Sequence, residues 1–217
     1  MNKFAILLTC CVKPSNCSQK DFQIRKKMYL KVIRKWLQTP FEIYCVDSSG
    51  YKFEEISDLK FHLCSFVYKI SDPNKGKTHG EIKSIIQACQ VFKKEWIQYT
   101  HIIKITGRYY LEDLYTWTRE QSSQEKIDFW FQSHHDIPLF FNQFVDLFLG
   151  YCINSEIFIC KRSKLEGVFR QKKTDVIMER YLYTVMTSAD YTYKRLPPFK
   201  NTLKSRRGGD NLFLNYL

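Results

Sequence analysis

The sequence predicts a single α/β domain with a mostly parallel central sheet, helices on both faces and an irregular C-terminal part. Three observations carry this expectation. Short apolar or β-branched runs alternate with amphipathic helical periodicities between residues 4 and 110. The first strand, helix and strand are spaced as a βαβ unit, whose strands pair in parallel. The chain has 217 residues, 44% of them hydrophobic and 16% aromatic, enough for one folded domain with a full core.

The elements follow in order. Phe4 to Thr9 reads as a first buried strand. After the polar loop around Pro14 and Ser15, Tyr29, Ile33, Trp36 and Leu37 recur at helical spacing within about 21–37, with Lys26, Lys27, Lys31 and Lys35 on the other side. Phe41 to Val46 is a second strand ending in Asp47-Ser48-Ser49-Gly50, and Phe61 to Tyr68 a third. A polar loop from Ser71 leads to a helix marked by Ile82, Ile85, Ile86, Cys89, Phe92 and Trp96 on one stripe. Strand 101–105 follows. Beyond residue 110 the pattern loosens: a short helix over 111–120, a strand over 127–131, a loop over 133–142, and strand pieces at 151–153 and 157–160 expected at a sheet edge. A last amphipathic helix carries Met178, Tyr181, Leu182 and Val185. This division predicts one domain over 1–217, with a ligand-binding half at 1–110 and a second half at 111–217 that ends in an irregular basic tail.

Thirty-four Lys and Arg stand against 22 Asp and Glu, a net charge of +12, so the surface attracts anions: nucleotide phosphates, acidic glycans, acidic membranes or nucleic acid. Eight cysteines include no C-x-x-C pair, and several lie in apolar stretches, which reads as reduced thiols acting as small hydrophobes in a cytoplasmic protein. The apolar run after Met1 is short, lacks a small-residue cleavage pattern and is followed by Lys13-Pro14, so it reads as a strand rather than a secretion signal. No run approaches the roughly 20 apolar residues of a membrane span, so any membrane contact is expected to be peripheral.

His101 to Tyr110 is the most informative segment. A β-branched strand ends in Thr106-Gly107-Arg108-Tyr109, placing a cation and aromatic rings where an open α/β sheet has its ligand crevice. Asp47, at the end of the second strand, is a candidate partner for a ribose, and equally a turn residue. The loop Asn74 to Glu81 contains Gly-Lys-Thr but has Ser71 where a phosphate loop needs glycine. It therefore reads as a looser anion site, with Lys75 and Lys83 as candidate contacts before and within the helix N-terminus. His134-His135-Asp136 has metal-ligand chemistry without metal-ligand spacing. Asp136 is a candidate contact to sugar or acceptor, and Glu179 a candidate general base.

Taken in order, the opening strand with Thr9, Val46-Asp47-Ser48-Ser49-Gly50, Lys75-Gly76-Lys77 with Gly80-Glu81, and Lys104-Ile105-Thr106-Gly107-Arg108-Tyr109 resemble the GT-A-type nucleotide-sugar glycosyltransferases of capsule, lipopolysaccharide and viral glycans. The resemblance covers roughly residues 4–190. It implies a GT-A-like (Rossmann-like) domain that moves a sugar from a UDP-, GDP- or dTDP-linked donor to a glycan acceptor hydroxyl, as a hexosyl- or deoxyhexosyltransferase in surface-glycan biosynthesis. It further implies Thr9, Asp47, Lys75, Lys83, Lys104, Gly107, Arg108 and Tyr109 as donor-binding positions, and Arg108, Asp136 and Glu179 as catalytic ones. Members usually hold Mn²⁺ or Mg²⁺ on an Asp-x-Asp pair. This chain has no Asp-x-Asp, and Arg108 stands near the corresponding place, so a cation is expected to do part of the metal's work. Two other readings compete. A basic nucleic-acid-binding module fits the charge, but no recognised motif supports it and most aromatics fall at core positions. A sugar-phosphate nucleotidyltransferase would need a glycine-rich loop after the first strand, where Thr9 to Pro14 has no glycine.

Overall fold

The computed structural model describes residues 2–15, 17–68, 76–121, 126–133, 153–170, 178, 181–182, 191–197 and 199, with backbone at 205–206 and 213–214. Five strands lie within the expected segments: β1 (Phe4–Cys10), β2 (Ile43–Asp47), β3 (Phe61–Ser65), β4 (His101–Thr106) and β5 (Phe129–Ser133). β6 (Ile153–Lys161) and β7 (Tyr193–Arg195) complete a seven-stranded sheet in the order β3-β2-β1-β4-β6-β5-β7. Neighbours pair in parallel except at β6, which runs antiparallel to both β4 and β5. A separate two-stranded ribbon joins β8 (Ser205–Arg206) to β9 (Phe213–Leu214). The fold class is the one expected from the alternation of elements.

The central strands are apolar without alternation because both faces are covered. In β1, Ala5 to Cys10 are all buried. On one face, Tyr29, Leu30, Val32, Ile33 and Trp36 of α1 (Gln19–Leu37) and Leu114 of α3 (Leu114–Glu120) pack on Ile6, Leu8, Ile103 and Ile105. On the other, Ile82, Ile85, Ala88 and Cys89 of α2 (Gly76–Val91) and Leu165, Val168 and Phe169 of α4 (Arg162–Arg170) cover Ala5, Leu7, Ile102 and Phe158. Ser18 caps α1 by accepting from the Asp21 amide at 3.1 Å.

Several boundaries differ from the sequence expectation. The two strand pieces at 151–153 and 157–160 belong to one strand, β6, which lies between β4 and β5 rather than at an edge. The polar interruption Asn154-Ser155-Glu156 does not break it, because that half of the strand sits at the end of the sheet. α2 begins at Gly76, inside the expected loop, and its apolar stripe continues past Val91 into a 3₁₀ turn at Glu95–Gln98 that buries Trp96. α4 was not anticipated, since its nine residues are rich in charge and contain Gly167. The tail expected to be irregular supplies β7, joined in parallel to β5. The 133–142 loop, with Asp136, and Lys75 and Glu179 all lie outside the described residues.

Candidate functional site

The strand order reverses at β1 and β4, which pair with each other and lead away to opposite sides. A crevice at the C-terminal ends of such strands is where open α/β sheets bind ligands. Here it is bounded by the turn after β1, the turn after β4 and, because β6 runs the other way, the N-terminal half of β6.

The turn after β1 is tied into the body of the protein. The Cys11 amide donates to the Tyr29 hydroxyl (3.3 Å), the Val12 amide to Asp47 Oδ2 (3.0 Å) and the Lys13 amide to Ser49 Oγ (2.9 Å). The Arg25 guanidinium donates to the Cys11 and Val12 carbonyls. Three successive amides are thus satisfied internally, unlike those of a phosphate-cradling loop. Asp47 is fully buried and also accepts from the Ser49 amide (2.8 Å), Ser49 Oγ (2.6 Å) and the Tyr51 amide (3.0 Å). Its carboxylate organises the Asp47–Gly50 turn, in which Gly50 has φ +79°. Of the two readings of Asp47, the turn reading matches its surroundings. Burial raises the ionisation of the Cys10 and Cys11 thiols, so both stay protonated at neutral pH.

The turn after β4 packs against the first. Gly107 donates its amide to the Thr9 carbonyl at 2.9 Å, and a Cβ there would lie 2.3 Å from Cys10 Sγ and 3.2 Å from Tyr29 Cδ1. Glycine is needed for this close approach of two strand ends. Thr9 is buried beside it. Arg108 is 8% exposed, with its guanidinium 6.0 Å from the Tyr109 ring centroid. Tyr109 is held at both ends: its carbonyl accepts from Trp36 Nε1 at 2.9 Å, and its hydroxyl donates to Glu156 Oε1 at 2.6 Å.

Lys104 is placed differently from its expected role. Its side chain is fully buried on the α2 face of β4, where Nζ pairs with Glu81 Oε1 and donates to the Ser155 carbonyl (2.6 Å) and, at 3.4 Å, to Thr106 Oγ1. The three donors of this ammonium have protein acceptors, so Lys104 fastens the start of α2 to the sheet. Lys83 is half-buried on the first turns of α2.

Glu156 is the site residue that sequence reading missed. It lies one residue beyond the Ile105–Ile157 pair, at the crevice end of β6, half-buried and bound by Tyr109. A carboxylate in the otherwise apolar run Ile157–Cys160 was the available signal. Only the antiparallel direction of β6 brings it to the crevice. Of the expected residues, the structure brings together Thr9, Gly107, Arg108 and Tyr109, with Asp47 and Lys104 beneath them as supports. Among the described residues no three His, Cys, Asp or Glu side chains form a metal-binding group. The described donor set therefore does not fit a divalent cation.

No family model matches the chain, and no curated protein is similar to it. Solved structures are similar. The bifunctional IspDF of Campylobacter jejuni aligns with 90% of this chain at 12% identity and TM-score 0.54, and the chain spans about half (49%) of that protein's length. A protein from Desulfovibrio desulfuricans described as a nucleotide-diphospho-sugar transferase aligns with 91% of this chain and 80% of its own, at 13% identity and TM-score 0.54. The fold is nucleotide-diphospho-sugar transferase-like. A glycosyltransferase that glycosylates the major capsid protein of the virus PBCV-1 aligns at 12% identity and TM-score 0.50, over 90% of this chain and 81% of that one. At TM-score 0.51 the same fold includes a Bacillus anthracis protein described as a glucose-1-phosphate thymidylyltransferase and a Mycobacterium tuberculosis protein in complex with manganese.

Proposed function

We propose that the chain is a glycosyltransferase that moves a sugar from a nucleoside-diphosphate sugar to a glycan acceptor hydroxyl, in surface-glycan assembly in the cytoplasm. The observation that carries the reading is the composition of the crevice: Arg108, Tyr109 and Glu156 converge at the switch point of a nucleotide-diphospho-sugar transferase-like sheet. Displacement at the anomeric carbon releases a nucleoside diphosphate whose developing charge needs a cation. Arg108, held in place by its packing, supplies one. The acceptor hydroxyl must lose a proton, and Glu156, half-exposed and positioned by the Tyr109 hydroxyl, is the carboxylate placed to take it. No step is routed through a metal, because the described residues do not form a site for one. Asp136 and Glu179 remain candidates for contact with the acceptor and for the base, alongside Glu156.

The runner-up is nucleotidyl transfer to a sugar phosphate. The turn after β1 speaks against it, since the Cys11, Val12 and Lys13 amides are already bonded within the protein and cannot cradle a triphosphate. The two readings separate in one assay. Incubation with UDP-, GDP- and dTDP-sugars should release nucleoside diphosphate, and Glu156→Gln should abolish release while preserving the melting temperature. Pyrophosphate release from a nucleoside triphosphate with a sugar phosphate, and none of diphosphate from a nucleotide sugar, would overturn the proposal.

A further inference from the structure

α1 carries seven basic residues and one acidic residue in 19 positions. Three of the seven are engaged by the protein. Arg25 turns inward to the Cys11 and Val12 carbonyls, Lys26 pairs with Glu55 at 2.5 Å, and Lys35 lies over the Tyr110 ring at 5.1 Å. The other four, Lys20, Lys27, Lys31 and Arg34, are exposed. At 100° per residue they fall within an arc of about 60°, and at 1.5 Å rise they form a line about 21 Å long. Among the described residues no carboxylate pairs with them. Asp21, the acidic residue of the helix, lies off the line and bonds Ser18 Oγ at 2.7 Å. Lys27 with Lys31 and Lys31 with Arg34 are like-charge neighbours at i,i+4 and i,i+3, an arrangement that opposes helix formation until an external anion offsets it.

We infer that this line of cations is a docking surface for an anionic phospholipid bilayer. Its shape selects a plane: the helix lies flat on the sheet with its apolar side in the core, leaving a straight convex ridge rather than a groove. The aromatic residues of α1 point away from the line. Tyr29 and Trp36 are buried and Phe22 packs edge-on against Tyr51, so no ring is presented for base stacking as single-stranded nucleic-acid binding requires. A cluster of four Lys and Arg on one helix face suffices for electrostatic attraction to acidic headgroups. Because α1 follows the turn after β1, the line starts at the crevice end of the sheet, and docking sets the crevice mouth beside the lipid surface.

The test is sedimentation of the full chain with vesicles of equal parts phosphatidylserine and phosphatidylcholine, against pure phosphatidylcholine vesicles. The variant Lys27→Glu with Lys31→Glu is compared with Lys93→Glu plus Lys94→Glu, which makes the same charge change at exposed positions after α2. The wild type should bind only the acidic vesicles, the α1 variant should lose at least about tenfold in partitioning, and the Lys93/Lys94 variant should stay within about twofold of wild type. Equal losses in both variants would mean that total charge, not α1, governs binding. Absence of wild-type binding, or preferential binding of an RNA or DNA oligonucleotide that the α1 variant abolishes, would also overturn the inference. Thermal melts of each variant establish that the fold is unchanged. The outcome is independent of whether the crevice transfers sugar.

Discussion

Replacing Gly107 with alanine puts one methyl group between two strand ends that touch. The added Cβ would lie 2.3 Å from Cys10 Sγ, more than 1 Å inside normal contact, and 3.2 Å from the Thr9 carbonyl oxygen and Tyr29 Cδ1. All of these atoms belong to buried groups, so relief requires movement of β1 or of the Thr106–Tyr109 turn. Overpacking of this kind costs about 1–3 kcal/mol, and for a chain of this length each kcal/mol lowers the melting temperature by about 2–4 °C. Cys10→Ala removes the atom in closest conflict and by itself costs about 1 kcal/mol of lost burial. In the double variant the clash with sulfur is gone, so the two effects should not add: urea unfolding should give a favourable coupling of about 1 kcal/mol or more. Additive losses within about 0.5 kcal/mol would mean that the strand ends do not meet as described, and the placement of Arg108 and Tyr109 would lose its basis.

Lys104→Met alone leaves Glu81 facing the interior without its cation and should destabilise by about 3–5 kcal/mol, whereas Lys104→Met with Glu81→Gln should recover most of that loss; denaturant melts of the three proteins check it. Burial lowers the ionisation of His101, whose ring Nε2 lies 2.9 Å from the Ile127 carbonyl. The neutral ring is the folded form, so stability should hold above about pH 6.5 and fall below it as the unfolded chain takes up the proton first, by at most about 1.4 kcal/mol per pH unit. A His101→Gln protein whose stability falls as steeply as wild type over that range would contradict this assignment.

The first half of the fold was legible because it consists of local signals: apolar runs for β1, β2 and β4, and 3.6-residue periodicities for α1 and α2. What sequence could not give was direction and adjacency. β6 looks like two fragments because Asn154-Ser155-Glu156 interrupts its apolar pattern, and only pairing with β4 and β5 shows that it is one antiparallel strand in the sheet. That direction is the reason Glu156 was missed. The charged residues Asp47 and Lys104 were recognised as unusual at strand positions, yet whether such a group meets a ligand or a protein partner depends on contacts 23 to 51 residues away, such as Lys104 with Glu81 and Ser155. Gly107, Arg108 and Tyr109 were visible from their place at a strand end. The mutual fit of Gly107 with Cys10 was not.

The claim that Arg108 and its neighbours form a nucleotide-sugar site is tested most directly by thermal shift of wild type and Arg108→Ala against UDP, GDP, dTDP and their sugars, with and without Mn²⁺. The account predicts that at least one of these ligands stabilises the wild type without metal and leaves the folded Arg108→Ala protein unshifted. Stabilisation by none of them would contradict the nucleotide-sugar reading, and stabilisation only with Mn²⁺, undiminished in Arg108→Ala, would contradict the role given to that cation.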